Sequence, residues 1–308
     1  MPRKPTYIFF FITLFSCFLL GIIITITIKF PYLLIPGTEV KNLNEILNAQ
    51  NHRKHILKTE CAQHNLSKPL YKIKAAVAKQ LYVEEHHKLI YCEVPKVGCS
   101  NWKRILFLLN INLNVDAEYI DHEAVHENAL FKRLIDYPPD QQSILLETYT
   151  KVLFTRDPLQ RLVSAYRDKF LHYGGYYYGT QIANVIKSQY RKNNKSSESV
   201  SFQEFVNFII DRNAEKLDTH WRPMHYLCDP CNVNYSILGK FETLKVDSDY
   251  VLKVVGAPPF LKYPDIKKYN ESRTDSKISA KYFAQLPGSL LQKLLKIYKL
   301  DFTLFGYR

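Results

Sequence analysis

The sequence lacks the motifs that identify several large classes of anion-binding protein. Its 308 residues contain no G-x-x-x-x-G-K-[ST] loop, which standard ATPases use to hold phosphates. No zinc-finger spacing, RNA-binding aromatic signature or internal repeat is present. These absences exclude a standard P-loop ATPase, the common nucleic-acid-binding modules and a repeat protein.

Acidic residues are scarce relative to basic ones. The chain has 29 Asp and Glu against 42 Lys and Arg, which gives a formal net charge of +13. Such an excess indicates an anionic partner, for example a nucleic acid, a membrane surface or an acidic polymer. Because no nucleic-acid-binding motif accompanies the charge, we expect no nucleic-acid partner.

One long segment, Tyr7 to Ile28, carries no charge over 22 residues. At about 1.5 Å per residue, a helix of this length crosses a hydrocarbon core of about 30 Å. Arg3 and Lys4 precede it and favour a cytoplasmic N-terminus. A cleaved signal peptide is the alternative, but its apolar region is shorter. We therefore expect a cytoplasmic tail at 1–6, a transmembrane signal anchor at 7–28, a stem at 29–65 and a luminal domain at 66–308.

A luminal domain can be glycosylated. The sequence contains N-x-[ST] acceptor triplets at Asn65, Asn194, Asn234 and Asn270. Such triplets also arise by chance, and only exposed ones can carry a glycan. We expect N-glycosylation at the exposed members of this set.

A luminal position also favours disulfides, and the chain has six cysteines. Cys228 and Cys231 form a C-x-x-C motif with no second Cys or His pair at zinc spacing. A structural disulfide role is therefore favoured over a metal site, and no metal is expected. The pairing stays open, with Cys92 and Cys99 as candidates for free thiols.

The segment Leu89–Leu109 combines a β-favouring apolar run with a helical pattern. Between them lies a short loop, Pro95–Ser100. A loop between a strand and a helix directs backbone N–H groups and the helix dipole at one point, which suits a phosphate. An ordinary strand–turn–helix remains the alternative.

A second apolar strand, Lys151–Thr155, leads directly into Arg156 and then into a helix that contains Ser164. Ligands gather at the carboxyl ends of strands in open α/β sheets, so Arg156 is a candidate ligand-binding residue. The alternative is that Arg156 pairs with Asp157 and that Ser164 only packs. The two strand–helix units predict an α/β fold with a P-loop-like parallel sheet flanked by helices.

Residues 122–126 read H-E-A-V-H and match the HExxH motif of zinc proteases. A match of this length occurs by chance in many proteins. A zinc hydrolase that used His122, Glu123 and His126 would also leave the two strand–loop elements unexplained. We keep it as an alternative.

Longer motifs resemble the two nucleotide-binding elements of Golgi carbohydrate sulfotransferases. These enzymes use 3′-phosphoadenosine-5′-phosphosulfate (PAPS), and the chondroitin/dermatan 4-O and HNK-1 branch is the most similar. The resemblance extends over roughly 89–308. It is carried by PKVGCSNWKR after the first strand, FTRDPLQRLVSAYRDKF about 50 residues later, His220-Trp221, Leu227 to Cys231, Gly239 to Leu252, and the closing Tyr298 to Tyr307.

The resemblance implies a sulfotransferase fold and a set of PAPS-binding residues. The first element holds the 5′ end of the donor, Arg156 and Ser164 hold its 3′-phosphate, and Arg273 lies in a loop that closes over the nucleotide. Gly98 and Ser100 stand where many members have Ala and Thr. The expected residues of the first element are Pro95, Lys96, Val97, Gly98, Cys99, Ser100, Asn101 and Trp102.

The resemblance also implies the reaction. Lys96 is expected to stabilise the leaving phosphate oxygen, and His126 to accept the proton of the sugar hydroxyl. His220 is the second candidate base, or a substrate-binding residue. The expected acceptor is a glycosaminoglycan or a glycoprotein glycan.

The favoured acceptor position is O-4 of N-acetylgalactosamine in chondroitin or dermatan. A glucuronic acid 3-O acceptor of HNK-1 type and terminal N-acetylgalactosamine 4-O stay open. A membrane-anchored glycan-binding protein without catalytic activity is a further alternative. The expected location is the Golgi membrane, in a single-pass type II orientation.

Overall fold

The computed structural model describes residues 37–68, 72–127, 131–172, 175–191, 198–267 and 270–307. The predicted tail, the predicted anchor at 7–28 and the acceptor Asn194 lie outside these ranges. Within them, none of the helices combines the length and the apolar character needed to cross a bilayer. The chain divides into two compact units, 1–49 and 50–308.

Five strands form one mixed sheet in the order β3-β1-β2-β4-β5. The pairs β1–β2 and β1–β3 are antiparallel, whereas β2–β4 and β4–β5 are parallel. The strands are β1 (Leu81–Glu84), β2 (Leu89–Cys92), β3 (Lys132–Arg133), β4 (Thr150–Thr155) and β5 (Ile237–Lys240).

Helices cover the sheet and build a second apolar layer beside it. Short 3-10 and π turns connect several of them, including the π segments Arg167–Leu171 and Tyr177–Ile182. The helices are α1 (Gly37–Gln63), α2 (Ala75–Ala78), α3 (Cys99–Ile111), α4 (His122–Glu127), α5 (Pro139–Thr148), α6 (Pro158–Tyr166), α7 (Ala183–Tyr190), α8 (Phe202–Ile210), α9 (Met224–Cys228), α10 (Pro230–Val233), α11 (Leu244–Val254), α12 (Ser276–Phe283) and α13 (Gly288–Leu304).

The parallel register places the loops that follow β2 and β4 side by side. Cys92 at the end of β2 is opposite Leu153 of β4, and Thr155 at the end of β4 is opposite Lys240 of β5. Every residue of β2 is buried, as parallel strands with helices on both faces require. The carboxyl ends of β2 and β4 therefore open at the same edge, as the sequence predicted.

The predicted stem boundary differs from the boundary in the structure. The amide of Gln50 on α1 exchanges hydrogen bonds of 3.0 and 2.9 Å with the backbone of Leu238 on β5. Arg53 donates to the carboxylate of Asp247 at 2.8 Å, and Leu57 is buried. The sequence showed only a weak helical pattern here, because the side chains that contact β5 and Asp247 are polar. The second half of the predicted stem therefore belongs to the unit 50–308.

The disulfides confirm a structural role for the C-x-x-C motif but not a bond within it. Cys61 pairs with Cys231, and Cys92 pairs with Cys228. The expectation of a free Cys92 was therefore wrong, because tertiary packing brings the end of β2 against α9. Of the cysteines in the described ranges, Cys99 keeps its thiol.

Three predicted glycan acceptors lie in the described ranges. Asn65, Asn234 and Asn270 are all exposed. Each therefore meets the steric condition for N-glycosylation, and their use remains a prediction.

Loss of the Arg53–Asp247 ion pair tests the revised boundary. Arg53→Ala leaves the carboxylate of Asp247 buried without its cation, and we expect the free energy of unfolding to fall by about 3 kcal/mol. Lys54→Ala, at an exposed position on the same helix, is the matched control and should change it by about 0.5 kcal/mol or less. Denaturant unfolding of the chain from residue 37 onwards measures both. If both variants lowered the free energy of unfolding by the same small amount, this helix would belong to the stem and not to the unit 50–308.

Candidate active site

A cavity of about 580 Å³ opens at the carboxyl ends of β2 and β4. Its lining brings together residues from both predicted nucleotide-binding elements and from the loop before α12. The predicted site residues that line it are Pro95, Lys96, Gly98, Cys99, Ser100, Asn101, His126, Arg156, Ser164, His220 and Arg273.

Two predicted donor-binding residues, Val97 and Trp102, do not line this cavity. Both side chains are fully buried. The Trp102 ring stacks on Tyr91 of β2 with the centroids 5.2 Å apart and lies 5.3 Å from Phe154 of β4. These residues hold the loop and α3 against the sheet, so their place in the motif is explained by packing.

The loop between β2 and α3 has an unusual backbone. Lys96 and Gly98 have φ angles of 72° and 81°, in the left-handed region. A Cβ at Gly98 would lie 2.7 Å from a methyl carbon of Leu244, so a larger residue would displace this side chain and strain the backbone. Gly98 also provides no side chain to cap α3. The first N–H groups of this helix have no intrahelical acceptor and suit an anion.

Lys96 stands in an ionic group at the cavity wall. Its Nζ lies 3.2 Å from Oδ2 of Asp168, and the Nζ of Lys169 lies 3.2 Å from the same oxygen. Burial lowers the pKa of Lys96, while the charge of Asp168 opposes this shift. Sequence reasoning did not select Asp168 or Lys169.

Arg156 follows β4 and is almost fully buried. Its Nη1 donates to the carbonyl oxygen of Lys96 at 2.9 Å, and its Nη2 donates to that of Thr274. The guanidinium carbon lies 3.9 Å from the Phe241 ring centroid. Burial lowers the pKa of Arg156 to about 10, so the group stays charged at neutral pH. Arg156 therefore joins two loops of the cavity as well as facing it.

The sequence analysis did not select two further arginines of the element that contains Arg156. Arg161 is fully buried and donates to the backbone carbonyls of Pro95, Thr219 and Arg222 at 3.0, 2.7 and 2.7 Å. Arg167 lines the cavity, three residues after Ser164 and thus on the same helix face. Its i, i+3 spacing from Ser164 could have identified Arg167 as a cavity residue from the sequence.

Arg167 and Arg273 hold the loop before α12. Arg167 donates to the hydroxyl of Thr274 at 2.9 Å and to the carboxylate of Glu271 at 2.6 Å. Arg273 pairs with Asp265 at 2.5 Å. The predicted closing loop therefore lies over the cavity through ionic contacts.

His126, the first candidate base, lies beside Ser100 and Lys103. Its Nε2 is 3.0 Å from the Ser100 hydroxyl, and its Nδ1 is 3.4 Å from the Nζ of Lys103. The ring stacks on His122 with a centroid distance of 4.4 Å. The described residues include no group of three or more His, Cys, Asp or Glu placed to hold a metal ion.

His220, the second candidate, is held by a carboxylate. Its Nδ1 lies 2.8 Å from Oδ1 of Asp218 and 3.0 Å from the Tyr178 hydroxyl, which donates to Oδ2 of Asp218 at 3.0 Å. Burial lowers the pKa of His220, and the hydrogen bond to Asp218 opposes the shift. Both candidate histidines therefore face one cavity with different partners.

Known proteins share these elements. A family model described as "Sulfotransferase family" matches residues 79–308. Carbohydrate sulfotransferase 8 of Homo sapiens is 36% identical over 282 residues, which cover 88% of this chain and 66% of that protein. Carbohydrate sulfotransferase 9 of Homo sapiens is 42% identical over 236 residues, covering 74% and 53%. Carbohydrate sulfotransferase 14 of Danio rerio is 35% identical over 267 residues, covering 84% and 71%.

The chain spans about half to two thirds of the length of the first two human relatives. No solved structure matches it significantly. The family match includes β1, the whole cavity and the C-terminal helix, and its residues contain both predicted nucleotide-binding elements. On this evidence the chain belongs to the sulfotransferase family.

Proposed function

We propose that this protein transfers a sulfonate group from PAPS to a hydroxyl group of a glycan. The observation that carries the proposal is a single cavity with a helix N-terminus on one side and the cationic end of β4 on the other. Its volume of about 580 Å³ falls in the range of nucleotide-sized ligand sites.

The residues present fit a donor with two anionic ends. The first N–H groups of α3, the Ser100 hydroxyl and Lys96 would hold the 5′-phosphosulfate. Ser164 and the cations beside it, Arg156 and Arg167, would hold the 3′-phosphate. Arg156 retains one buried group, Nε, without a hydrogen-bond partner in the described part of the chain. A guanidinium suits phosphate because it donates several hydrogen bonds in one plane.

Bound PAPS supplies an activated sulfonate with a phosphate leaving group. The chain's own residues position the two reactants and stabilise charge, which is the main source of catalysis in related phosphoryl transfers. Lys96 would neutralise the charge that develops on the leaving phosphate oxygen. Its contact with Asp168 holds the ammonium at the cavity wall until an anion competes for it.

The acceptor is proposed to be an anionic glycan, because the chain has a formal net charge of +13. O-4 of N-acetylgalactosamine in chondroitin or dermatan is the favoured position. Terminal N-acetylgalactosamine O-4 and glucuronic acid O-3 are the alternatives. The names of the relatives specify carbohydrate as their substrate class. The proposed location is the Golgi membrane, with the segment 7–28 as anchor and the catalytic unit in the lumen.

A transfer assay tests the function directly. The secreted chain from residue 37 onwards, mixed with PAPS labelled in the sulfonate and desulfated chondroitin or dermatan, should yield labelled glycan. Lys96→Ala should lower turnover by at least about 100-fold, because a preorganised cation at developing charge contributes this much. The Lys96→Ala variant should bind the glycan with the same affinity as the unmodified chain.

Structural analysis of the product then identifies the sulfated hydroxyl. Absence of label on these glycans, on glucuronic acid-terminated glycans and on terminal N-acetylgalactosamine would contradict the proposal. Glycan binding without transfer, unaffected by Lys96→Ala, would instead support a glycan-binding protein.

Ser164→Ala tests the 3′-phosphate site with little structural disturbance, since Ser164 is only half-buried. We expect adenosine 3′,5′-bisphosphate to bind about 10-fold more weakly, as the loss of one hydrogen bond to a charged group predicts. The affinity for adenosine 5′-phosphate should change less than about twofold. Calorimetric titration measures both, and Ser143→Ala, at an exposed position on α5, is the control. Equal losses for the two nucleotides would remove Ser164 from this role.

A further inference from the structure

The two candidate bases in the cavity, His126 and His220, have opposite hydrogen-bond environments, and this difference distinguishes their chemistry. A neutral imidazole has one protonated nitrogen and one nitrogen with a lone pair. A general base needs the lone pair on the nitrogen that faces the substrate. The partner of the other nitrogen decides which tautomer is present.

His220 has an acceptor at Nδ1. Asp218 lies 2.8 Å away through Oδ1, and the Tyr178 hydroxyl donates to its second oxygen at 3.0 Å. Burial raises the pKa of Asp218, but its contacts with His220 and Tyr178 together lower the pKa overall. The carboxylate is therefore ionised and only accepts. Nδ1 of His220 must carry the proton, which leaves the lone pair on Nε2.

His126 has a donor at Nδ1. Lys103 pairs with Glu93 at 2.6 Å. Burial lowers the pKa of Lys103, but Glu93, together with Cys99 and Tyr82, raises it overall, so the side chain is an ammonium. An ammonium only donates. Nδ1 of His126 must therefore accept, and Nε2 carries the proton and faces the Ser100 hydroxyl at 3.0 Å.

Protonation has different consequences at the two sites. An imidazolium at His126 would place a second positive charge 3.4 Å from the ammonium of Lys103. An imidazolium at His220 would be stabilised by Asp218 at 2.8 Å. Because a base becomes cationic in the transition state, Asp218 favours the change at His220, whereas Lys103 opposes it at His126.

We propose that His220 is the general base of the sulfonyl transfer and that Asp218 and Tyr178 are its positioning residues. This proposal rests on the function proposed above. The acceptor hydroxyl loses its proton to Nε2 of His220 as its oxygen forms the new bond to sulfur. The bond between sulfur and the phosphate oxygen breaks, and that oxygen keeps the electron pair beside Lys96. His126 then serves as a hydrogen-bond donor at the start of α3.

The groups facing His220 determine its pH dependence. They are Asp218, the Tyr178 hydroxyl, Lys169 and Lys96. Burial lowers the pKa of His220, the bond to Asp218 opposes the shift, and the two lysines add to it. The base therefore stays neutral at neutral pH. Activity should fall with decreasing pH only as the pH passes below the ordinary histidine pKa of about 6.5.

Matched glutamine variants separate the two histidines. His220→Gln should lower kcat by about 100- to 10,000-fold, the range for a lost general base, with the affinity for adenosine 3′,5′-bisphosphate unchanged. His126→Gln should lower kcat by less than about 10-fold and raise the KM for PAPS, as the loss of one donor predicts. The reverse order of kcat losses, or equal losses, would overturn the assignment. Absence of transfer by the unmodified chain would instead refute the proposed function.

Asp218→Asn gives a second measurement that a purely structural role would not reproduce. It removes the carboxylate that raises the pKa of His220, so the acid limb of kcat/KM should move to lower pH. The value of kcat should fall by about 100-fold or more, because an amide does not enforce the tautomer. Tyr178→Phe should also lower kcat, by a smaller factor than Asp218→Asn. An unmoved acid limb in Asp218→Asn would refute the positioning role, even if His220→Gln fails to fold.

Discussion

Two buried guanidinium groups hold the cavity in shape. Taking a cation out of water costs several kcal/mol unless hydrogen bonds replace the lost hydration. Arg156 meets this requirement with the carbonyls of Lys96 and Thr274, and Arg161 meets it with those of Pro95, Thr219 and Arg222. These carbonyls belong to the loop between β2 and α3, the loop before α12 and the segment that carries His220. One strand–helix junction therefore positions all three.

Buried cations also need neighbouring negative charges, and the cavity provides them. Cations that a phosphate would use already have carboxylate partners: Lys96 contacts Asp168, and Arg167 contacts Glu271. A bound anion would compete with these carboxylates, so donor binding and loop position are linked through the same charges. The two disulfides and the hydrogen bonds of α1 to β5 stabilise the body that these loops are attached to.

Much of the fold followed from residue patterns. The apolar runs of β2 and β4, each followed by a helix, were sufficient to predict parallel strands and a ligand edge, because such runs occur where both faces of a sheet are covered. The role of Gln50 was beyond such reasoning. A polar side chain that satisfies an edge strand has no periodicity, and its partner Leu238 is distant in the chain. The pairings of Cys61 and Cys92 depend on the same long-range packing.

The sequence by itself determined the α/β fold class, the two strand–loop elements that line the cavity and the pair of histidines that could act as a base. Only the tertiary structure decided what each side chain does there. Trp102 lies in the core because its ring stacks on Tyr91. The tautomers of His126 and His220 depend on a lysine and a carboxylate placed beside them in space. Protonation is set by the nearest charges, and motif spacing does not fix which charges those are.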